Sequence, residues 1–151
     1  VSDLPVPVYG DGQNVRDWIH VRDHCAAVAA VCRNGTPGEV YNIGSRSEKT
    51  NLELTCTLLE SLGKPKTFLR FVPDRPGHDR RYAIDCSKIE RELGWRSTIP
   101  FEEGLRDTIA WYKANAAWVK QVRSGEYLAY YEKQYGQCAE RGAAMPASAS
   151  K

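Results

Sequence analysis

Val6-Pro7-Val8-Tyr9-Gly10-Asp11-Gly12-Gln13-Asn14-Val15-Arg16-Asp17-Trp18-Ile19-His20-Val21 packs a strand, a tight turn and the entry to a helix into one short stretch. Residues 6–9 predict a strand, ended by Gly10-Asp11-Gly12. Residues 15–21 alternate roughly and predict a second strand leading into a helix. The Gly-x-Gly spacing suggests a dinucleotide loop, but Val15 stands where the third glycine belongs and the helix starts too late. The Rossmann fingerprint is therefore rejected at this turn. Downstream, Val21, Cys25, Val28, Ala29 and Cys32 share one helical face, and Asn34-Gly35 stops the helix.

The same alternation continues along the chain. Residues 39–43 read as a strand closed by Gly44. Thr50 or Asn51 caps a helix with Glu53 in its first turn and Leu54, Leu58, Leu59 and Leu62 on one face, ended by Gly63. Residues 68–72 predict a strand, residues 82–85 a short extended piece, and Ser87 caps a helix over 88–93 closed by Gly94. Residues 101–118 predict the longest helix, followed by aromatic-rich structure to Tyr135. Residues 137–151 have no periodicity and are expected to be a disordered tail. Strands alternating with helices imply an α/β fold. The strands are too few for a doubly wound sheet, and the helical stripes exceed what so little sheet can cover. Part of a larger domain is expected.

The 151 residues suffice for one domain, and 42% hydrophobic with 26% charged residues is globular composition. A net charge of +2 argues against a nucleic-acid or membrane-surface partner, so any basic site must be local. No apolar run approaches membrane-spanning length, and no signal-peptide pattern opens the sequence. The five cysteines are odd in number and form no Cys-x-x-Cys pair. They read as reduced, mostly buried thiols of a cytoplasmic protein, with no metal-ligand spacing to the histidines.

Asp74-Arg75-Pro76-Gly77-His78-Asp79-Arg80-Arg81-Tyr82 crowds three arginines, a histidine and two aspartates around a Pro-Gly turn. Unpaired charge is too costly to bury, so this run needs water or an anionic partner. Guanidinium groups match phosphate oxygens. The plain alternative is a solvated loop in which the arginines pair with Asp74, Asp79 and Asp85. Arg16, just past a glycine turn, can also reach a phosphate, or else pair with Asp17 or Asp23. Asn51 is a natural helix cap, and the amides around it form an anion site. Tyr9 can stack on a base, although packing explains it equally, as it does Tyr135. No tyrosine is followed four residues later by lysine, and no nucleophile elbow or phosphate-binding glycine loop is present.

Together, Pro7 to Gly12, Arg16 to Val21, Tyr41-Asn42-Ile43-Gly44, Lys49 to Glu53, Asp74 to Asp85, Ser87-Lys88-Ile89, Leu93-Gly94-Trp95 and Glu132 to Gly136 resemble one family. It is the C-terminal part of the dTDP-glucose 4,6-dehydratases, which are extended short-chain dehydrogenases/reductases of Rossmann type. The resemblance implies that Tyr9 lies against the thymine and Arg16 on the diphosphate. Asn51, Asp74, Arg75, Pro76, Gly77 and His78 would hold ribose and phosphates, with Tyr135 closing on the nucleotide. It also implies NAD in the full-length enzyme, which converts dTDP-glucose to its 4-keto-6-deoxy product by internal hydride transfer and loss of water. The family's NAD loop, Tyr-x-x-x-Lys pair and acidic dehydration residues lie upstream of the matched region. Residues 1–136 are therefore expected to be a substrate-binding portion without catalytic or cofactor-binding residues of its own. On this reading it is a fragment whose elements pack on an N-terminal NAD-binding domain. Alone, it is expected to expose apolar surface and to self-associate. The alternatives are a related epimerase segment or a non-catalytic binding or assembly module.

Overall fold

β1 (Val6–Tyr9) and β4 (Leu69–Val72) run parallel, with Val6 opposite Leu69 and Tyr9 opposite Val72. A parallel pair needs a long crossover, and everything between residues 10 and 68 serves as one. The computed structural model of the chain describes residues 4–125. It divides into two units, residues 1–109 and 110–151.

The second strand is shorter than the sequence suggests: β2 (Val15–Asp17) pairs antiparallel with β3 (Glu48–Thr50), and residues 18–20 lead into α1 (Val21–Asn34). The predicted strand at 39–43 does not form. Its residues serve as side chains instead. Tyr41 and Ile43 pack on the small cluster of Ala27, Cys86 and Ile89, together with Val31, Leu93 and Trp95. Gly44 sits too close to its neighbours for a side chain, since a Cβ would lie 2.4 Å from Asp17 Oδ2 and 2.9 Å from Cys86 Sγ.

α1 also turns the other way from its apolar stripe. Val21 is 64% exposed, Val28 43%, and Cys25 and Cys32 are exposed, while Asp23 and Ala27 face inward. Buried Asp23 is the reason. Its carboxylate accepts from Ser97 Oγ (2.7 Å), the backbone N–H groups of Thr98 (2.8 Å) and Ile99 (2.9 Å), and Thr98 Oγ1 (3.1 Å). Burial works to raise its pKa, and these donors outweigh it, so the group stays a carboxylate. The expectation of mostly buried thiols is thus corrected: only Cys86 is buried among the described cysteines, and Cys56 is half-buried.

Thr50, not Asn51, caps α2 (Asn51–Ser61), in a full capping box with Glu53. Leu59 is buried on the expected face, and Gly63 ends it with φ 64°. A 3-10 turn (Lys66–Phe68) takes the first residue of the predicted next strand, so β4 starts at Leu69. Beyond it, the extended piece expected at 82–85 does not form, and one parallel bridge pairs Val15 with Arg81 just before it. α3 (Ser87–Leu93) ends at Gly94 as predicted. Ser87 lies inside the helix, and Asp85 accepts from both its backbone N–H (2.9 Å) and its hydroxyl (3.0 Å). The long helix breaks into α4 (Phe101–Ala114) and α5 (Ala116–Ser124) at Asn115, whose side chain donates to the Trp111 carbonyl at 2.8 Å. That bond competes with helix continuation. In the second unit Trp111, Tyr112 and Trp118 meet edge to face and are each about half exposed.

Only Val8, Ala27, Leu59, Cys86 and Ile89 are buried hydrophobics among the described residues. Leu4, Val40, Phe71 and Ile84 stand exposed beside the α1 stripe, matching the expected surplus of apolar surface. No described helix is long and apolar enough to cross a membrane.

Candidate anion-binding site

Three segments meet beyond the end of β1. Gly10 N–H donates to the Val72 carbonyl (3.0 Å), which leads β4 out into the arginine-rich loop. Val15 N–H donates to the Arg80 carbonyl (2.8 Å), and Tyr82 N–H to the Val15 carbonyl (3.1 Å), which stitches that loop to β2. Asn51 N–H donates to the Asn14 carbonyl (3.0 Å) and Leu52 N–H to the Gly12 carbonyl (2.9 Å), which sets the start of α2 against the turn.

The charges sort differently from a clamp of three arginines. Arg80 makes a bidentate pair with Asp11 (2.8 and 3.0 Å), and Arg81 another with Glu48 (2.7 and 2.8 Å). Both fork geometries fasten the loop to the rest of the fold. The Arg80 hydrogen bonds, with the Gln13 N–H behind them, lower the Asp11 carboxyl to about 2. Neither arginine uses the aspartates of its own loop. Two arginines remain. Arg75 has no ion-pair partner among the described residues, and its backbone N–H donates to Asp74 Oδ1 (2.9 Å).

Arg16 is fixed yet has no ion-pair partner among the described residues. Its Nη1 donates to the Val15 carbonyl (2.6 Å), its Nη2 to the Asp79 carbonyl (2.9 Å), and its guanidinium lies 4.5 Å from the Tyr82 ring centroid. Neither suspected carboxylate is available to it. Asp17 accepts from Ser45 Oγ and from the backbone N–H groups of Ser45, Arg46 and Ser47. Burial pushes Asp17 up and these bonds pull it further down. Asp23 is held by residues 97–99.

Tyr9 and His78 meet edge to face with centroids 6.3 Å apart, and His78 Nδ1 lies 2.6 Å from Asp74 Oδ1. The His78 hydrogen bond leads the depression of the Asp74 pKa. The Tyr9 ring is half exposed. Pro76 and Gly77 form the exposed tip of the loop, with Gly77 at φ 69°. The Asn51 side chain is not the helix cap and has no hydrogen-bond partner among the described residues.

The expected backbone anion site at the start of α2 is occupied from within. The Asn51, Leu52 and Glu53 N–H groups go to Asn14, Gly12 and Thr50. Tyr135 lies outside the described residues. Sequence reasoning missed Asn14, Asp79 and Tyr82 as parts of the site. Asn14 is 2% exposed and donates to the same Asp79 carbonyl as Arg16 (3.2 Å), and a lone asparagine in a turn gives no sequence signal for that.

The glycine turn does not fit NAD. A Cβ on Gly10 would stand 3.0 Å from Asp74 Oδ2, and one on Gly12 2.8 Å from Val8 and 3.0 Å from Leu52. The space the glycines leave is filled by the chain's own side chains, and a strand follows instead of a helix. No group of three or more potential metal ligands occurs among the described residues.

Beside the end of the parallel strand β1, which carries the half-exposed Tyr9 ring, β2 holds Arg16 between two carbonyls and a ring, an arrangement that could receive an anion next to a flat group. Residues 2–108 match the family described as GDP-mannose 4,6 dehydratase. Within that class the chain belongs to the dTDP-glucose 4,6-dehydratase family. It is 56% identical over 118 residues to such an enzyme from Actinoplanes sp., covering 78% of this chain and 37% of the relative. The Salmonella typhimurium enzyme is 48% identical over 138 residues, covering 87% and 38%. The solved dTDP-glucose 4,6-dehydratase of Bacillus anthracis, in complex with NAD, is 49% identical at TM-score 0.72, covering 76% of this chain and 36% of that one. A UDP-glucose 4-epimerase of Thermotoga maritima solved with UDP-glucose is 32% identical at TM-score 0.69, covering 74% and 36%. The fold is thus part of the expected extended Rossmann-type architecture, and the chain spans well under half the length of these relatives.

Proposed function

We propose that the chain is the substrate-binding portion of a dTDP-glucose 4,6-dehydratase and holds the nucleotide end of a dTDP-sugar. The observation that carries this reading is Arg16, fixed by two carbonyls and a ring with its charge uncompensated. A diphosphate supplies the missing anion. Arg75 is another arginine of this site with no ion-pair partner among the described residues, close enough to Tyr82 to affect its ionisation. Tyr9 offers a half-exposed ring for the base, backed by His78 and Asp74. The unused Asn51 side chain offers a donor and an acceptor at the same end of the fold.

Redox and dehydration chemistry belong to an NAD-binding portion that these residues do not form. NAD, when bound there, supplies the hydride acceptor. This chain's own residues bind and orient the nucleotide. The bare apolar faces of α1 and the 110–124 segment are consistent with packing on that portion, or with self-association in its absence. The binding portion expected over residues 1–136 runs past the described residues, and the tail expected at 137–151 lies outside them.

Calorimetric titration of the folded chain with dTDP tests this, with UDP as the second arm. Arg16→Gln and Arg75→Ala are each expected to weaken dTDP by about 1–3 kcal/mol, the scale of a hydrogen bond to a charged group. Unchanged affinity in both, with the fold intact, removes the phosphate assignment. Preference for UDP moves the chain to the epimerase reading. With dTDP-glucose and NAD added, the chain alone should give no 4-keto product.

A further inference from the structure

We infer that Tyr82 and Asp79 are positioning residues that aim Arg16 at its anionic ligand. The inference rests on the nucleotide reading above. A lone arginine would have to give up its rotamer freedom on binding, a cost that preorganisation removes. Here the order is already present. The Tyr82 ring lies under the guanidinium at 4.5 Å, a cation–π contact that sets the plane of the group without cancelling its charge. Tyr82 is itself tethered twice: its hydroxyl donates to the Asp79 carboxylate, and its backbone N–H to the Val15 carbonyl, which also accepts from Arg16 Nη1.

Asp79 works through its two ends. Its carbonyl accepts from Arg16 Nη2 (2.9 Å) and from Asn14 Nδ2 (3.2 Å). Its carboxylate is taken up by the Tyr82 hydroxyl, which keeps that negative charge off Arg16. The same bond pushes the Tyr82 phenol up, so the donor proton stays in place. A carboxylate facing Arg16 would compete with the ligand. A carbonyl and a ring hold it equally still and leave the charge available.

The test uses dTDP, inorganic pyrophosphate and thymidine as probes on the full 151-residue chain, with melting curves certifying each variant. Tyr82→Leu is expected to weaken dTDP and pyrophosphate roughly tenfold, on the scale of a partly desolvated cation–π contact, with thymidine unchanged. Tyr82→Phe keeps the ring but frees the Asp79 carboxylate, so it should weaken dTDP and pyrophosphate less than Tyr82→Leu does, and adding Asp79→Asn should recover that loss. In an Arg16→Gln background, Tyr82→Leu should cost nothing further, since the two act as one unit. Tyr82→Met replaces Tyr82→Leu if the latter unfolds. In the ligand-free chain, the Arg16 Nε–H proton should show a ring-current shift that survives Tyr82→Phe and is lost in Tyr82→Leu.

Three results overturn the proposal alone: no ring-current shift in wild type, penalties that add in the double variant, or thymidine weakened as much as dTDP. Loss of binding in Arg16→Gln with none in Tyr82→Leu does the same and leaves the nucleotide reading standing. A folded wild-type chain that binds neither dTDP nor pyrophosphate overturns both.

Discussion

Ile89→Ala should remove most of this fold's stability. Ile89 is fully buried and forms, with Ala27 and Cys86, the cluster that joins α1 to α3. The substitution deletes three buried carbons, worth roughly 0.8 kcal/mol each in transfer alone. The unfilled cavity brings the total to about 2–5 kcal/mol. Ordinary domains hold about 5–15 kcal/mol in all, and a chain with so few buried hydrophobics belongs at the low end. Urea unfolding followed by circular dichroism at 25 °C should show the midpoint falling by about 1 M or more. Val40, 75% exposed, supplies the control: Val40→Ala should stay within about 0.5 kcal/mol. An Ile89→Ala variant less than about 1 kcal/mol weaker than wild type, or a Val40→Ala variant equally damaged, would refute the claim that this cluster centres the fold.

Three further outcomes are expected. The exposed Cys25 and Cys32 should react with a thiol reagent in the folded chain. Cys86, whose thiol is pushed up by burial and by the nearby Asp17 charge, should react only on unfolding; equal rates at Cys86 and Cys25 contradict the burial of Cys86 in the small core. The depressed Asp11 carboxyl contributes stability that is complete above its ordinary value of 3.8 and is lost as pH falls toward 2, so Asp11→Asn should flatten that acid limb of the melting curve. An unaltered limb means the Arg80 pair does not hold the loop. Gly44→Ala should destabilise the chain through its clash with Asp17 and Cys86, by about 1–3 kcal/mol as for other overpacked sites; a neutral result places the 42–45 segment elsewhere.

How far the sequence could be read depended on whether a signal was local. The cap at Thr50 or Asn51 with Glu53 in the first turn, the glycine stops at Gly63 and Gly94, and the strands at β1 and β4 are short-range patterns, and they were legible, although the choice of Thr50 came only with the fold. The orientation of α1 was not, because its apolar stripe faces away from the small core while one buried carboxylate, Asp23, turns the helix toward residues 97–99. The strand predicted at 39–43 failed for want of a neighbouring strand to pair with. At the site, the arginine-rich run was visible, but its division of labour was not. Arg80 and Arg81 find Asp11 and Glu48 far away in sequence, and only the fold shows that Arg16 has no ion-pair partner among the described residues. The family resemblance supplied the expectation of a ligand end at these segments. It carried no information on Tyr82, Asp79 or Asn14.

The central claim is that the nucleotide end of a dTDP-sugar is held between the β1 turn and the arginine-rich loop. Amide and arginine side-chain NMR shifts, followed as dTDP is titrated into the folded chain, test it most directly. Saturable shifts are expected at Tyr9, Arg16, Asn51 and residues 74–78, with α1 left unmoved. Saturable shifts confined to other residues, or none at all from a folded chain, would contradict it.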